Sequence, residues 1–199
     1  MASPAVNLIL ASGSPQRKRL LEQAGYAFRC VPPRPHAECG MCSGETPGEL
    51  VARLAKQKAA DVIEQLETAE DGAGEALVVA CDTVAECVGQ ILGKPANREH
   101  ARQMLGLLSG REHRVWSGLC LQDAPGGAPR LGVALTTLRM ESLAEDAIEQ
   151  YLDSGLWEGK AGAFGYQDRT GWLHIVEGSE SNVIGLPMEL LAEMLDCRG

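Results

Sequence analysis

The stretch Val6-Asn-Leu-Ile-Leu-Ala-Ser-Gly-Ser-Pro-Gln-Arg-Lys-Arg-Leu-Leu21 decides how the chain begins to fold. Its apolar half reads as a strand over 6–11, and the small residues Ser12, Gly13 and Ser14 turn it directly into a helix over 15–24. Ser14 is a good N-cap, Pro15 stands where a helix tolerates proline best, and Leu20 and Leu21 start an apolar face. Such a loop offers backbone N–H groups, the hydroxyls of Ser12 and Ser14, and the cations Arg17, Lys18 and Arg19 beside a positive helix end. Phosphate is the usual occupant of a site of this kind. A capped turn with a solvated basic first turn explains the same residues, so the rest of the chain has to decide.

Working outward, Phe28 to Val31 reads as a second strand. Residues 32–48 form a loop rich in proline, glycine and cysteine. Thr46 caps a helix over 47–66, with Glu49 in the capping-box position and Leu50, Val51, Leu54 and Ala55 on one face. After an acidic connection at 67–75, Ala76-Leu-Val-Val-Ala-Cys81 is continuously apolar, as a buried central strand should be. It is expected to stop at Asp82-Thr83, with a further strand at 84–88 and a turn at Gly89-Gln90. A helix over 97–108, strands at 114–122 and 131–140 around a Gly/Pro loop, and a helix over 143–154 capped at Ser142 follow. A strand at 172–177 and a last helix over 187–196, opened by Asn182-Val-Ile-Gly-Leu-Pro187, complete the reading. Interleaved strands and helices with one hairpin predict an α/β fold with a mixed twisted sheet and flanking helices, as a single domain over 1–199.

At 199 residues and 45% hydrophobic content the chain can bury a sizeable core. No apolar span reads as transmembrane, and the N-terminus lacks a secretory pattern, so the expected setting is cytoplasmic with no membrane partner. A formal charge of -9 argues against a nucleic-acid polymer as partner, while local cations can still hold a small anion. The seven cysteines are an odd number and read as reduced thiols. Cys39-Gly-Met-Cys42, with His36 and Glu38 before it, could bind zinc or exchange disulfides, but no second ligand pair completes a zinc site.

Chemistry concentrates at strand ends. Asp82 stands at the carboxyl end of the buried strand, where open α/β sheets place their ligands, and could bind a divalent cation or accept a proton from attacking water. Lys94 in Gly93-Lys94-Pro95 suits a phosphate oxygen, although the spacing is not that of a P-loop. Lys58 flanks the packed face of its helix, and Lys160 is a cation on a glycine-rich turn.

Taken together, these residues resemble the Maf family of nucleoside triphosphate pyrophosphatases. The resemblance is carried by Ser12-Gly-Ser-Pro-Gln-Arg17 with Leu20-Leu21; Arg53-Leu-Ala-x-x-Lys58-Ala59; Asp82-Thr-Val84; Gly93-Lys-Pro95; Leu108-Ser-Gly110 with His113; Gly159-Lys-Ala-Gly-Ala-Phe-Gly165 with Gln167; and Asn182-Val-Ile-Gly-Leu-Pro187. It covers nearly the whole chain. It implies an elongated two-lobed fold like that of inosine triphosphatases, with a central cleft and, as in many members, a homodimer. The implied reaction is hydrolysis of a nucleoside triphosphate between its α- and β-phosphates, giving a monophosphate and pyrophosphate with Mg²⁺ or Mn²⁺. The family's catalytic carboxylate falls on Asp82, and Ser14, Arg17, Lys58 and Lys94 fall on positions that hold the phosphate chain; Ser12 and Lys160 join them as substrate ligands.

Two departures matter. A gapless count puts Ala37 where the family has a metal-proximal glutamate, and a one-residue shift restores it as Glu38, so Asp82 and Glu38 are the expected metal ligands. Three positions, Gln16, Thr83 and Gln167, separate the subfamilies. Enzymes for dTTP and UTP carry arginine, threonine and glutamine there, and enzymes for 7-methyl-GTP an aromatic, glutamine and glutamate. Thr83 and Gln167 match the pyrimidine set, and Gln16 matches neither. A glutamine amide can pair with the N3–H and O4 edge of uracil or thymine. The expectation is therefore a dTTP/UTP-preferring enzyme. The alternatives are a 7-methyl-GTP or broad-specificity pyrophosphatase, a non-catalytic regulator of septum formation, and a thiol or zinc module built on Cys39 and Cys42.

Overall fold

A computed structural model describes residues 7–37, 42, 44–69, 74–168 and 170–197 of the chain. Eleven residue pairs in antiparallel register join its longest strands, β3 (Ala76–Cys87) and β5 (Glu112–Ala124), so these two form the spine of the molecule. Around them a seven-stranded mixed sheet runs in the order β2 (Phe28–Cys30), β1 (Leu8–Leu10), β3, β5, β6 (Arg130–Met140), β7 (Leu173–Glu177). Strand β4 (Gln90–Leu92) pairs with the end of β3. The β2–β1–β3 pairings are parallel and all others antiparallel, which makes the sheet mixed, as the sequence predicts.

Strand period two sorts the core. Ala76, Val78 and Ala80 of β3 face helix α2 (Pro47–Glu67), packing with Ala55, Ala59, Val62 and Leu66. Leu77, Val79 and Cys81 face the opposite side, with Leu21 of α1 (Pro15–Gln23), Leu186 and Leu191. Each fully buried leucine or valine contributes about 1.5–3 kcal/mol. Gly118 permits the close approach of α2: a Cβ there would lie 2.2 Å from the Val51 carbonyl oxygen, inside the helix backbone. The distal end of β3 packs Ala85 and Cys87 against α3 (Arg98–Leu108) and α4 (Glu145–Asp153), with Phe164 and Tyr151 beside them.

Three expectations are corrected. Strand β3 does not stop at Asp82-Thr83 but runs through to Cys87, with both residues paired across to β5. Their polar side chains alternate to opposite sheet faces where partners await them, so polarity marks a site and not a strand end. Helix α4 is not capped by Ser142; its N-cap is Ala144, with no side-chain cap, and the Ser109 hydroxyl accepts from the Leu143 N–H instead (2.8 Å). Asn182 does not open the last helix. It sits in a separate short helix α5 (Glu180–Ile184), ended by Gly185 at φ +123°, before α6 (Met188–Asp196).

Candidate active site

Strand β1 covers β3 only as far as Val79, and β4 resumes pairing at Ala85. Between them the β3 edge is open, and the residues of chemical interest converge on that notch. The Ser12–Ser14 loop leaves β1 on one side, and Gly93-Lys94 leaves β4 on the other. Gly93 is tied to the glycine-rich turn by a hydrogen bond from the Gly162 N–H to its carbonyl (3.0 Å).

On the α2 face, Lys58 donates through Nζ to Asp82 Oδ1 at 2.6 Å, and both side chains are buried (6% and 13% exposed). The pair forms because Lys58 lies on the sheet-facing side of α2, one helical turn beyond Leu54 and Ala55, opposite the even-numbered residues of β3. Asp82 Oδ2 has no hydrogen-bond partner among the described residues, so it remains available as a hard oxygen acceptor.

On the other face, Arg17 gathers the loop. Its Nε donates to the Gly185 carbonyl (2.7 Å), and its terminal nitrogens donate to Ser12 Oγ (3.4 Å) and Thr83 Oγ1 (3.3 Å). Gly185 can hold that place because its φ of +123° disfavours any other residue. Ser12 Oγ also accepts the Ser14 N–H (3.1 Å), and the Ser14 hydroxyl, which caps α1, donates to Gln16 Oε1 (3.0 Å). Gln16 is thus turned back on the loop. Thr83 Oγ1 is shared with Ser117 Oγ at 2.8 Å and lies 3.3 Å from the Gly185 carbonyl. Burial pushes the Cys81 thiol up, so it stays protonated and donates to the Gly185 carbonyl (3.3 Å) instead of acting as a nucleophile.

The structure therefore brings Ser12, Ser14, Gln16, Arg17, Lys58, Asp82 and Thr83 into one region. Lys94 is exposed on the opposite lip. Lys160 is not displayed to the notch as an unpaired cation. Its ammonium is ion-paired with Asp168, which also accepts from the Tyr151 hydroxyl (2.6 Å) and the Gly165 N–H (3.2 Å). Gln167 lies in the turn Tyr166–Asp168. Glu38 and Cys39 fall outside the described residues, so the expected second metal ligand and half of the proposed thiol pair do too.

The sequence analysis quotes Asn182 and Gly185 in a motif without a role and does not single out Ser117. Gly185 and Ser117 organise Arg17 and Thr83 from positions 102 and 34 residues away from Thr83. Asn182 is fully buried and donates to the Val115 carbonyl (3.2 Å) and Thr136 Oγ1 (2.9 Å), fixing α5 on the sheet. A buried asparagine after a serine cap was the available signal.

An open notch at the edge of a mixed sheet, lined by a serine-rich helix-capping loop, cations and one buried carboxylate, defines an α/β protein built to hold a phosphorylated ligand. The Maf-like protein family model matches residues 7–197, and the chain belongs to that family. A protein named dTTP/UTP pyrophosphatase from Rhodopirellula baltica is 54% identical over 191 residues, covering 96% of this chain and 81% of its own. Proteins of the same name from Pelotomaculum thermopropionicum and Thermococcus kodakarensis are 39% and 36% identical over more than nine-tenths of both chains. The Staphylococcus aureus Ham1 protein structure superimposes with a TM-score of 0.51 at 12% identity, covering 97% of this chain and 100% of that one. At that identity the likeness speaks for the fold alone.

Proposed function

We propose that this protein hydrolyses nucleoside triphosphates between the α- and β-phosphates, releasing a nucleoside monophosphate and pyrophosphate, with dTTP and UTP preferred. The observation that carries the reading is the buried Lys58–Asp82 pair, with one carboxylate oxygen that has no partner among the described residues, one residue along β3 from Thr83, which shares a hydrogen-bond network with Arg17 and Ser12. Relatives up to 54% identical that bear the name dTTP/UTP pyrophosphatase support the substrate class.

In this reading Asp82 Oδ2 accepts the proton of the water that attacks the α-phosphorus, while Lys58 supplies the counter-charge and fixes the carboxylate's direction. The Ser12–Ser14 loop and the positive end of α1 hold phosphate oxygens, and Lys94 approaches from the opposite lip as charge develops on the departing pyrophosphate. A triphosphate brings about four negative charges, so these cations and dipoles act on the leaving group as well as on binding.

Asp82 offers the oxygen donor that Mg²⁺ or Mn²⁺ favours, with Glu38 as its proposed companion. No group of three His, Cys, Asp or Glu side chains stands together among the described residues. That donor set fits an ion that shares its coordination between one or two carboxylates and substrate phosphates, as Mg²⁺ commonly does. When bound, the ion neutralises charge on the phosphate chain.

Selectivity rests on Thr83 and Gln167, with Gln16 modifying it from the loop. No helix among the described residues is long and apolar enough to cross a membrane, in keeping with a small water-borne substrate. The experiment is pyrophosphate release from UTP, dTTP, CTP, ATP, GTP and 7-methyl-GTP with Mg²⁺ or Mn²⁺. Turnover led by UTP and dTTP is expected. Preference for 7-methyl-GTP would overturn the selectivity, and no turnover on any nucleotide would overturn the activity and favour a regulatory binding role.

A further inference from the structure

One buried charge has no part in the chemistry described above. Asp61 lies on α2 one turn beyond Lys58, with its side chain only 4% exposed. Most of its acceptor capacity is directed at the connection between β2 and α2. Asp61 Oδ1 accepts from Arg34 Nε at 2.6 Å, and His36 Nε2 stands 3.1 Å from it. Asp61 Oδ2 takes the Arg34 backbone N–H at 2.8 Å and Gln65 Nε2 at 2.8 Å. Gln65 also donates to the Pro32 carbonyl (3.2 Å), and the other arm of the Arg34 guanidinium is paired with Glu64. Three hydrogen bonds converge on this one buried carboxylate, two of them from Arg34.

The segment held in this way backs the phosphate loop. The Val31 N–H donates to the Leu10 carbonyl (3.0 Å) at the end of β1, and Pro32 packs beside Gly13, where a Cβ would lie 3.8 Å from Pro32 Cβ. Helix α2 therefore does two things within one turn: it presents Lys58 to Asp82, and it grips the strut behind Ser12–Ser14.

We propose that Asp61 and Arg34 are positioning residues, which set the Ser12–Ser14 loop at its working distance from the Lys58–Asp82 pair. This rests on the function proposed above. Neither residue touches the reacting atoms. With the grip released, the serine loop keeps its hydroxyls and N–H groups but loses the backing that aims them. Phosphate binding weakens while the carboxylate chemistry continues.

The test compares wild type, Arg34→Ala, Arg34→Lys and Asp61→Asn in steady-state UTP hydrolysis, thermal unfolding, and calorimetric titration with pyrophosphate alone. Arg34 is 41% exposed, so its truncation opens no cavity in the core, and thermal unfolding reads what the loss of Asp61's partner costs. The expected result is a rise of about tenfold in both KM for UTP and Kd for pyrophosphate in Arg34→Ala and Asp61→Asn, with kcat within about threefold of wild type. Arg34→Lys keeps one charge on Asp61 and should recover part of the loss. A lower Tm with KM and Kd unmoved would mean that the grip serves stability alone, and would overturn the proposal. Absence of UTP turnover in the wild type would instead sink the proposed activity, and the pyrophosphate titration would still judge the grip.

Discussion

Two buried lysine–aspartate pairs flank the notch, and they differ in what is left over. Lys58–Asp82 joins α2 to the middle of β3, and one oxygen of Asp82 has no partner among the described residues. Lys160–Asp168 joins the two ends of a glycine-rich turn, and Asp168 is further occupied by the Tyr151 hydroxyl and the Gly165 N–H. Residue type and burial are nearly the same. A buried ion pair whose acceptors are all engaged specifies a conformation, whereas one with an acceptor to spare can take a proton or a cation. The turn that Asp168 stabilises needs such support, since Ala163 holds a left-handed φ of +62° beside Gly162 at +69°.

The comparison predicts opposite balances of activity and stability. Lys58→Met should lower UTP hydrolysis by roughly a hundredfold, because the carboxylate loses its counter-charge and orientation at the reacting centre. Steady-state kinetics on the folded variant reads this directly. Asp168→Asn should leave kcat at 25 °C within about threefold but strand Lys160, costing about 2–4 kcal/mol. For a chain of this size that is a fall in Tm of roughly 5–10 °C, measurable by calorimetry. Tyr151→Phe removes one charge-assisted hydrogen bond, about 1.5 kcal/mol, and should lower Tm by a few degrees with activity unchanged. Loss of activity in Asp168→Asn without loss of stability would erase the distinction between the two pairs.

A smaller effect comes from Asp61. Burial pushes its carboxyl up, but the Arg34 backbone N–H, the Arg34 guanidinium and Gln65 together hold it below the ordinary value of 3.8. A lowered native value means that its stabilisation is present above that pH and is lost as pH falls through the native value. Wild type should therefore lose more stability than Asp61→Asn on acidification below about pH 4, as read by urea unfolding at stepped pH. Equal slopes would show that Asp61 is not held ionised by its neighbours.

Much of this was legible in the sequence where local rules act alone. The Ser14 and Thr46 caps, with the Glu49 capping box, stand where their side chains predict. The apolar run at 76–81 is a central strand, and alternation along it sends Asp82 toward α2 and Thr83 toward Arg17. What escaped reading depends on partners distant in the chain. Asp82-Thr83 looked like a strand end because nothing local reveals that Lys58 lies on one face and Arg17 on the other. The ion pair of Lys160 is not legible locally because its partner is eight residues on, beyond a turn that holds a left-handed alanine. The grip of Asp61 on Arg34 spans 27 residues and leaves no periodic trace.

The most direct test of the central claim is hydrolysis of UTP in ¹⁸O-water by wild type and Asp82→Asn, with unfolding curves for both. The account predicts label in UMP and none in pyrophosphate, and a rate at least about a hundredfold lower in Asp82→Asn that remains folded at the assay temperature. Label in pyrophosphate, or an Asp82→Asn rate within a few-fold of wild type, would contradict it.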